Sequence, residues 1–189
     1  MRIITGKRKG KKLISPDGYD VTRPTLDRVK QSIFNIIQGY INNETVVLDL
    51  FAGTGSLGLE ACSRGAKVTY LCDRNDVTVS YLIKNIKNLC FEDIAFAIKG
   101  EFNTNLKRFR NEMKFDLIFV DPPYNTDYVE RSINLIDEYN LLKPNGIIVS
   151  KIATNETKFI ESKNINLTDY RKYGNTTVCF YKYKENFNE

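Results

Sequence analysis

The sequence predicts an α/β protein: one mostly parallel sheet with helices on both faces, closed by an antiparallel hairpin. Three observations carry this. Short, continuously apolar runs alternate with helix-like stretches, the pattern of parallel strands buried on both faces. A glycine-rich loop joins the first of these runs to a helix. Near the end, two strand-like runs flank Gly174-Asn175, a good hairpin turn. The chain has 189 residues, a length that buries roughly 70% of the unfolded surface in one core. A single domain over 1–189 is expected, with 1–22 a basic hairpin appendage and 23–189 the core.

The elements follow in order. Arg2–Thr5 and Lys11–Ser15 read as short strands around a Gly6–Gly10 turn that presents Lys7, Arg8 and Lys9. After Arg23-Pro24, Leu26, Val29, Ile33, Ile36/Ile37 and Tyr40 recur at helical spacing, with Pro24 suited to the first turn. Strands are predicted at Val46–Leu50, Lys67–Cys72, Ile94–Ile98, Phe115–Val120 and Gly146–Ile152. Helices are predicted at Ser56–Arg64, Asp76–Asn88, Asn103–Met113 and Asp127–Tyr139. Leu167–Tyr173 and Thr176–Lys184 form the final hairpin.

Composition removes several chemistries. The chain has no histidine, which excludes Ser-His-Asp and Cys-His catalysis and His-ligated zinc. Cys62, Cys72, Cys90 and Cys179 form no C-x-x-C pair and read as reduced packing thiols, so neither a disulfide framework nor a metal is expected. No apolar run approaches the roughly 20 residues that span a bilayer, and the basic start lacks a signal-peptide core. A cytoplasmic protein is expected. The charge is uneven: residues 1–30 carry nine bases and three acids, so a chain of net +5 is +6 there and −1 elsewhere. A focused cationic segment on a near-neutral body suits a polyanion such as nucleic acid, although a solvated arm has the same composition.

The first strand ends in Asp49-Leu-Phe-Ala-Gly53-Thr-Gly55-Ser-Leu-Gly58, which is G-x-G-x-x-G between strand and helix. Gly53 and Gly55 allow a sharp turn and close approach of a ligand to helix N–H groups. Asp73, 20 residues after Gly53, ends the second strand where it can accept from ribose hydroxyls. The fingerprint also fits a nicotinamide dinucleotide. Two features favour S-adenosylmethionine. Asp49 can hold an ammonium or order the loop, but would repel a pyrophosphate, and one sheet uses most of the chain, leaving no substrate domain. Glu101, after the third strand, can accept from an adenine amino group.

The fourth strand runs into Asp121-Pro122-Pro123-Tyr124, on the rim where strand ends line the ligand crevice. The box suits methylation of an exocyclic base amine, whose lone pair is delocalised into the ring. Asp121 and the Pro122 carbonyl can each accept one N–H, and Tyr124 offers a stacking face for a base taken from its stack. Pyrimidine C5 methylation requires a nucleophilic cysteine, and no cysteine here follows a proline.

These residues carry a family resemblance. The opening Arg2-Ile-Ile-Thr-Gly-Lys7, the segment Arg23-Pro-Thr-Leu-Asp-Arg-Val-Lys30, the run Leu48–Ala61 and the D-P-P-Y box resemble the RsmD-type bacterial methyltransferases, which methylate guanine N2 in 16S rRNA with S-adenosylmethionine. The resemblance implies a Rossmann-like seven-stranded methyltransferase sheet. It implies that Asp49, Gly53, Gly55, Asp73 and Glu101 bind the cofactor, and that Asp121, Pro122 and Tyr124 hold the guanine. It also implies that the N-terminal bases, Lys7, Arg8, Lys9, Arg23 and Arg28 among them, contact 16S rRNA, free or within the 30S subunit. A monomer is expected. The chain departs from the pattern at Leu26, at Gln31 in place of an acid, and at Lys151, where an acid is common. From the residues alone, adenine N6 is an equally good target. A nicotinamide oxidoreductase would leave Asp121–Tyr124 and the basic arm without a role, and a non-catalytic RNA-binding module would leave the whole box idle.

Overall fold

The computed structural model describes residues 1–16, 24–156 and 160–185. Arg23, one of the expected RNA contacts, lies outside them.

Seven strands form one sheet: β1 Val46–Asp49, β2 Val68–Asp73, β3 Ala95–Lys99, β4 Phe115–Val120, β5 Leu142–Ala153, β6 Ile165–Tyr173 and β7 Thr176–Tyr183. Their order across the sheet is β3-β2-β1-β4-β5-β7-β6. Strands β1 to β5 pair in parallel, and β7 joins antiparallel to both β5 and β6. This is the expected Rossmann-like sheet with its terminal hairpin. The order reverses between β1 and β4, so a crevice opens at the carboxyl ends of those two strands.

Among the described residues, five α-helices cover it: α1 Pro24–Ile36, α2 Gly58–Ser63, α3 Asp76–Asn88, α4 Phe102–Phe109 and α5 Tyr128–Glu138. On one face Leu106 and Phe109 of α4 and Ile133 and Ile136 of α5 pack against Leu48, Ile118 and Ile148. On the other, Val29, Ile33 and Phe34 of α1, with Ile37 just after it, meet Val47, Leu117, Phe119 and Val149. Beside them, Leu59 and Cys62 of α2 pack with Leu82 and Ile86 of α3. Alternate residues of one strand thus serve opposite faces, which is why the central strands are apolar throughout.

Where boundaries differ from expectation the reasons are local. α2 starts at Gly58 rather than Ser56, because the glycine loop continues to turn until the Gly58 N–H reaches Asp49 Oδ2 at 2.8 Å. α4 ends at Phe109, with Asn111 at φ +64° just beyond. β5 begins at Leu142, four residues early, and its register against β4 shifts between Phe115 and Leu117. Lys143-Pro-Asn-Gly146 carries no apolar pattern, and Lys143 Nζ bonds Asp116 Oδ2 at 2.7 Å. Cys62, Cys72 and Cys179 are buried free thiols, whereas Cys90 is exposed in the turn after α3.

The N-terminal arm folds back on itself, but with a single bridge, Arg2 to Lys12, in place of two strands. It is held by the core. Glu60 of α2, fully buried, accepts from the backbone N–H groups of Ile4 and Thr5 at 2.8 and 2.9 Å. The same carboxylate meets Lys30 Nζ at 3.0 Å and Arg64 Nε at 2.9 Å. Burial lowers the Lys30 pKa, opposed by Glu60. Lys30 is therefore not one of the solvent-facing bases of the arm. Ile3 and Leu13 join the α2–α3 core, and a side chain on Gly6 would collide with the Ser63 carbonyl.

Candidate active site

The site assembles where four strands end. Asp49 closes β1, Asp73 closes β2, Gly100 follows β3 and Asp121 follows β4. A cleft of about 570 Å³ is lined by Gly53, Asp73, Glu101, Asp121, Pro122 and Tyr124, together with Phe51, Phe102 and Tyr128. The expected cofactor and target residues therefore share one cleft, except Asp49 and Gly55, which stand behind its wall.

The glycine loop is built from the strand outward. Gly53 has φ +56°, and a Cβ there would meet nothing within 4 Å. Gly55 has φ +97° and is packed, since a Cβ would approach Leu59 and Leu82 side chains at 2.5 and 2.8 Å. The first glycine leaves space for a ligand; the second closes the loop onto its helices. Asp73 accepts from the Gly53 N–H at 3.0 Å and from the Asn75 N–H at 2.9 Å. It ties the first loop to the second, in addition to facing the cleft.

Asp49 is 1% exposed. Its Oδ2 accepts from Gly58, while its Oδ1 is buried without a partner among the described residues. Burial, reinforced by Asp121 and Asp73 against the Gly58 hydrogen bond and Lys151, pushes its pKa up to about 7. A buried lone pair without a donor costs stability, and a cationic donor would satisfy it.

Glu101 precedes α4 and is half-exposed, with Arg74 at 3.7 Å. Beside it is an aromatic wall that the sequence reading missed. Phe51, Phe102 and Tyr128 lie with ring centroids 5.1–6.2 Å apart, and Phe51 and Tyr128 are stacked. Arg131 covers Phe102 at 5.2 Å. An aromatic residue directly after Glu101 was the only available signal, and an isolated phenylalanine at a helix start is usually core.

In the D-P-P-Y turn, Pro122 is buried and Pro123 exposed. The Pro123 carbonyl accepts from Thr126 Oγ1 at 2.9 Å. Tyr124 is 44% exposed, and its hydroxyl lies 2.7 Å from Thr176 Oγ1. Asp121 Oδ2 accepts from Lys151 Nζ at 2.7 Å. Burial disfavours the Lys151 ammonium, but the Asp121 carboxylate outweighs it and the pKa lies above its ordinary value.

The arm lies along α2 and α3. Its base meets the rim: Asn85 Nδ2 donates to Ile14 O and to Thr54 O, each at 2.9 Å. Leu13, Ser15 and Pro16 line a second cleft of about 420 Å³ with Gly53, Thr54 and Asp73. The tip lies at the opposite edge. Lys7 N–H donates to Ser63 O, and Arg8 Nε donates to Leu89 O with its guanidinium over Phe91. Both helices run away from the rim, and the arm meets α3 near its far end, at Asn85 and, about 6 Å further on, at Leu89. Lys7 and Lys9 are exposed at that far edge. Nearer the rim, Arg2, Lys12, Arg28 and Gln31 line a groove of about 600 Å³, with Arg2 held by Asp27 at 3.1 Å. Among the described residues, no acid and cysteine cluster is arranged to hold a metal, and no helix is long and apolar enough to cross a membrane.

A glycine loop and a D-P-P-Y turn on adjacent strands of this sheet define the methyltransferase class. Residues 1–182 match the model of a family described as Conserved hypothetical protein 95, and the chain belongs to that family. Ribosomal RNA small subunit methyltransferase D of Haemophilus influenzae is 36% identical over 185 residues, covering 93% of this chain and 94% of the relative. The protein of the same name in Escherichia coli is 35% identical over 150 residues, 78% of this chain and 72% of the relative. Among solved structures, yhhF of Escherichia coli, described as a candidate methyltransferase, superposes with a TM-score of 0.85 at 31% identity, covering 97% and 98% of the two chains. The RsmD-type resemblance read from the motifs is the family the comparisons show.

Proposed function

We propose that this protein transfers a methyl group from S-adenosylmethionine to N2 of a guanine in the RNA of the small ribosomal subunit. The single observation that carries the reaction type is the shared cleft. Asp121, Pro122 and Tyr124 line it together with Gly53 and Asp73. The RNA substrate follows from relatives named for the small-subunit RNA; guanine N2 follows from the RsmD-type motifs.

The residues fit the cofactor on two counts: the buried Asp49 Oδ1 has no partner among the described residues and can accept from a donor such as an ammonium, and the space at Gly53 admits a ligand. We assign Asp73 to the ribose hydroxyls and Glu101 to the adenine amino group, and Phe102 and Tyr128, which line the same cleft, to the ring's surroundings. When bound, the cofactor's sulfonium supplies an activated methyl group. Asp121 and the Pro122 carbonyl accept the two N–H bonds of the target amine and draw its lone pair out of conjugation. The Pro123 carbonyl already accepts one hydrogen bond, from Thr126 Oγ1. Tyr124 supplies a stacking face, worth roughly 1–3 kcal/mol per base. Calorimetry tests the cofactor: S-adenosylhomocysteine is expected to bind with NADH inert, and the reverse would sink this reading.

RNA phosphates are assigned to the arm and to the start of α1. Lys7, Arg8 and Lys9 form one contact at the tip of the arm, and Arg28 with Lys12, which line a groove beside Arg2, form a second. Arg23 belongs to the same proposal by sequence. Lys12→Ala with Arg28→Ala is expected to reduce the slope of log affinity against log salt by roughly two units. Lys7→Ala with Lys9→Ala has the same effect only if the RNA reaches the far edge. Unchanged slopes in both pairs would return the arm to a solvated surface.

A further inference from the structure

The clamp formed by Asp121 and Tyr124 is braced from two other strands. Lys151 of β5 holds Asp121 Oδ2 at 2.7 Å, with side chains 18% and 27% exposed. Thr176 of β7 holds the Tyr124 hydroxyl at 2.7 Å. Glu156 Oε1 accepts from the N–H groups of Asn125 and Ala153 at 3.0 and 3.1 Å. In the antiparallel ladder Lys151 stands opposite Val178 and Ala153 opposite Thr176. The two anchors are thus set by the β5–β7 register, and they grip the two ends of the D-P-P-Y turn.

A half-buried ion pair is a weak device for stability alone, because the desolvation of an ammonium and a carboxylate offsets much of their attraction. Lys151 does not line the cleft itself; it bonds Asp121, the cleft residue proposed to meet the substrate.

We propose that Lys151 is a positioning residue for methyl transfer: it fixes one oxygen of Asp121, so that the other is presented to the target amine, while Thr176 fixes the Tyr124 ring beside it. The role rests on the assignment of Asp121 as amine acceptor. Lys151 touches neither cofactor nor base; it acts through Asp121. Its effect therefore belongs in turnover rather than in binding.

The experiment uses Lys151→Met, Lys151→Arg, Asp121→Asn and the Lys151→Met/Asp121→Asn double variant, with whichever nucleic acid the wild-type protein methylates. Misplacing a reacting group by an ångström costs on the order of 100-fold, so Lys151→Met is expected to lower kcat by about 10- to 100-fold. Its KM for RNA and its affinity for S-adenosylhomocysteine stay within about threefold. Lys151→Arg recovers most of the loss. The double variant is no slower than Asp121→Asn alone, because the lysine has nothing left to position. Thr176→Val gives a smaller fall in kcat with a normal melting temperature. If Lys151→Met unfolds, the arginine variant and the melting curve of the double variant still read the coupling. Wild-type kcat in Lys151→Met, or independent, multiplicative losses in the double variant, would overturn the proposal and leave the reaction assignment intact. A wild-type protein that methylates no nucleic acid would overturn both.

Discussion

Asp121→Ala is expected to lower methyl transfer by at least about 100-fold, the range in which a positioned acid–base group acts. Affinity for S-adenosylhomocysteine should stay within about threefold, since the variant removes no cofactor contact. The carboxylate lies on the cleft, beyond the end of β4, and is ion-paired with Lys151. Truncation therefore leaves Lys151 as a partly buried, unpaired cation near the target amine, where it repels the charge that builds on nitrogen as the methyl arrives. The loss belongs in kcat. Single-turnover rates with saturating cofactor, together with calorimetry, separate the two terms. Unchanged turnover would remove Asp121 from the chemistry.

The second large effect concerns Asp49. Burial raises its pKa to about 7, whereas an unfolded aspartate titrates near 4. A carboxyl group raised on folding stabilises the native state fully below its unfolded pKa, and that contribution is lost as pH rises through the folded pKa. The cofactor-free protein should accordingly lose thermal stability between about pH 4 and pH 7, as far as this group controls it. Cofactor binding should run the other way. A cationic donor on Oδ1 favours the ionised form, so binding below pH 7 must release a proton, and affinity should rise about tenfold per pH unit up to pH 7. Asp49→Asn keeps an acceptor for the Gly58 N–H but cannot ionise. It should flatten both profiles, make the cofactor-free protein more stable at pH 8, and weaken cofactor binding by at least about tenfold, the equivalent of one charge-assisted hydrogen bond. Calorimetry in buffers of different ionisation enthalpy counts the proton directly. No proton release with Asp49 present would leave this residue as a loop support alone.

Much of this architecture was legible because it is written locally. Phe115–Val120 is a continuous apolar run and became β4 with unchanged limits. Asp76–Asn88 became α3 at the predicted residues, its start set by Asn75, whose side chain accepts from the Thr78 N–H. The glycine loop and the D-P-P-Y turn carry their chemistry in consecutive residues, and parallel topology alone brings them to one rim. What escaped the reading depends on residues distant in sequence. Lys151 and Thr176 meet Asp121 and Tyr124 only through strand register, 30 and 52 positions away. Glu60 gave no sign of gathering Lys30, Arg64 and the arm's backbone, because an acid in a helix is ordinarily exposed. The arm's charge was visible but its direction was not; docking on Ser63 and Leu89 sends the tip away from the cleft.

One measurement tests the central claim most directly. The protein is given methyl-labelled S-adenosylmethionine with 30S particles from unmodified cells, with free 16S rRNA and with DNA, and the nucleosides are then separated. Label in N2-methylguanosine from ribosomal RNA is the predicted result. Label in N6-methyladenine would preserve the roles of Asp121 and Tyr124 while contradicting the target. Absence of label from every nucleic acid, in a protein that binds S-adenosylhomocysteine, would contradict the account.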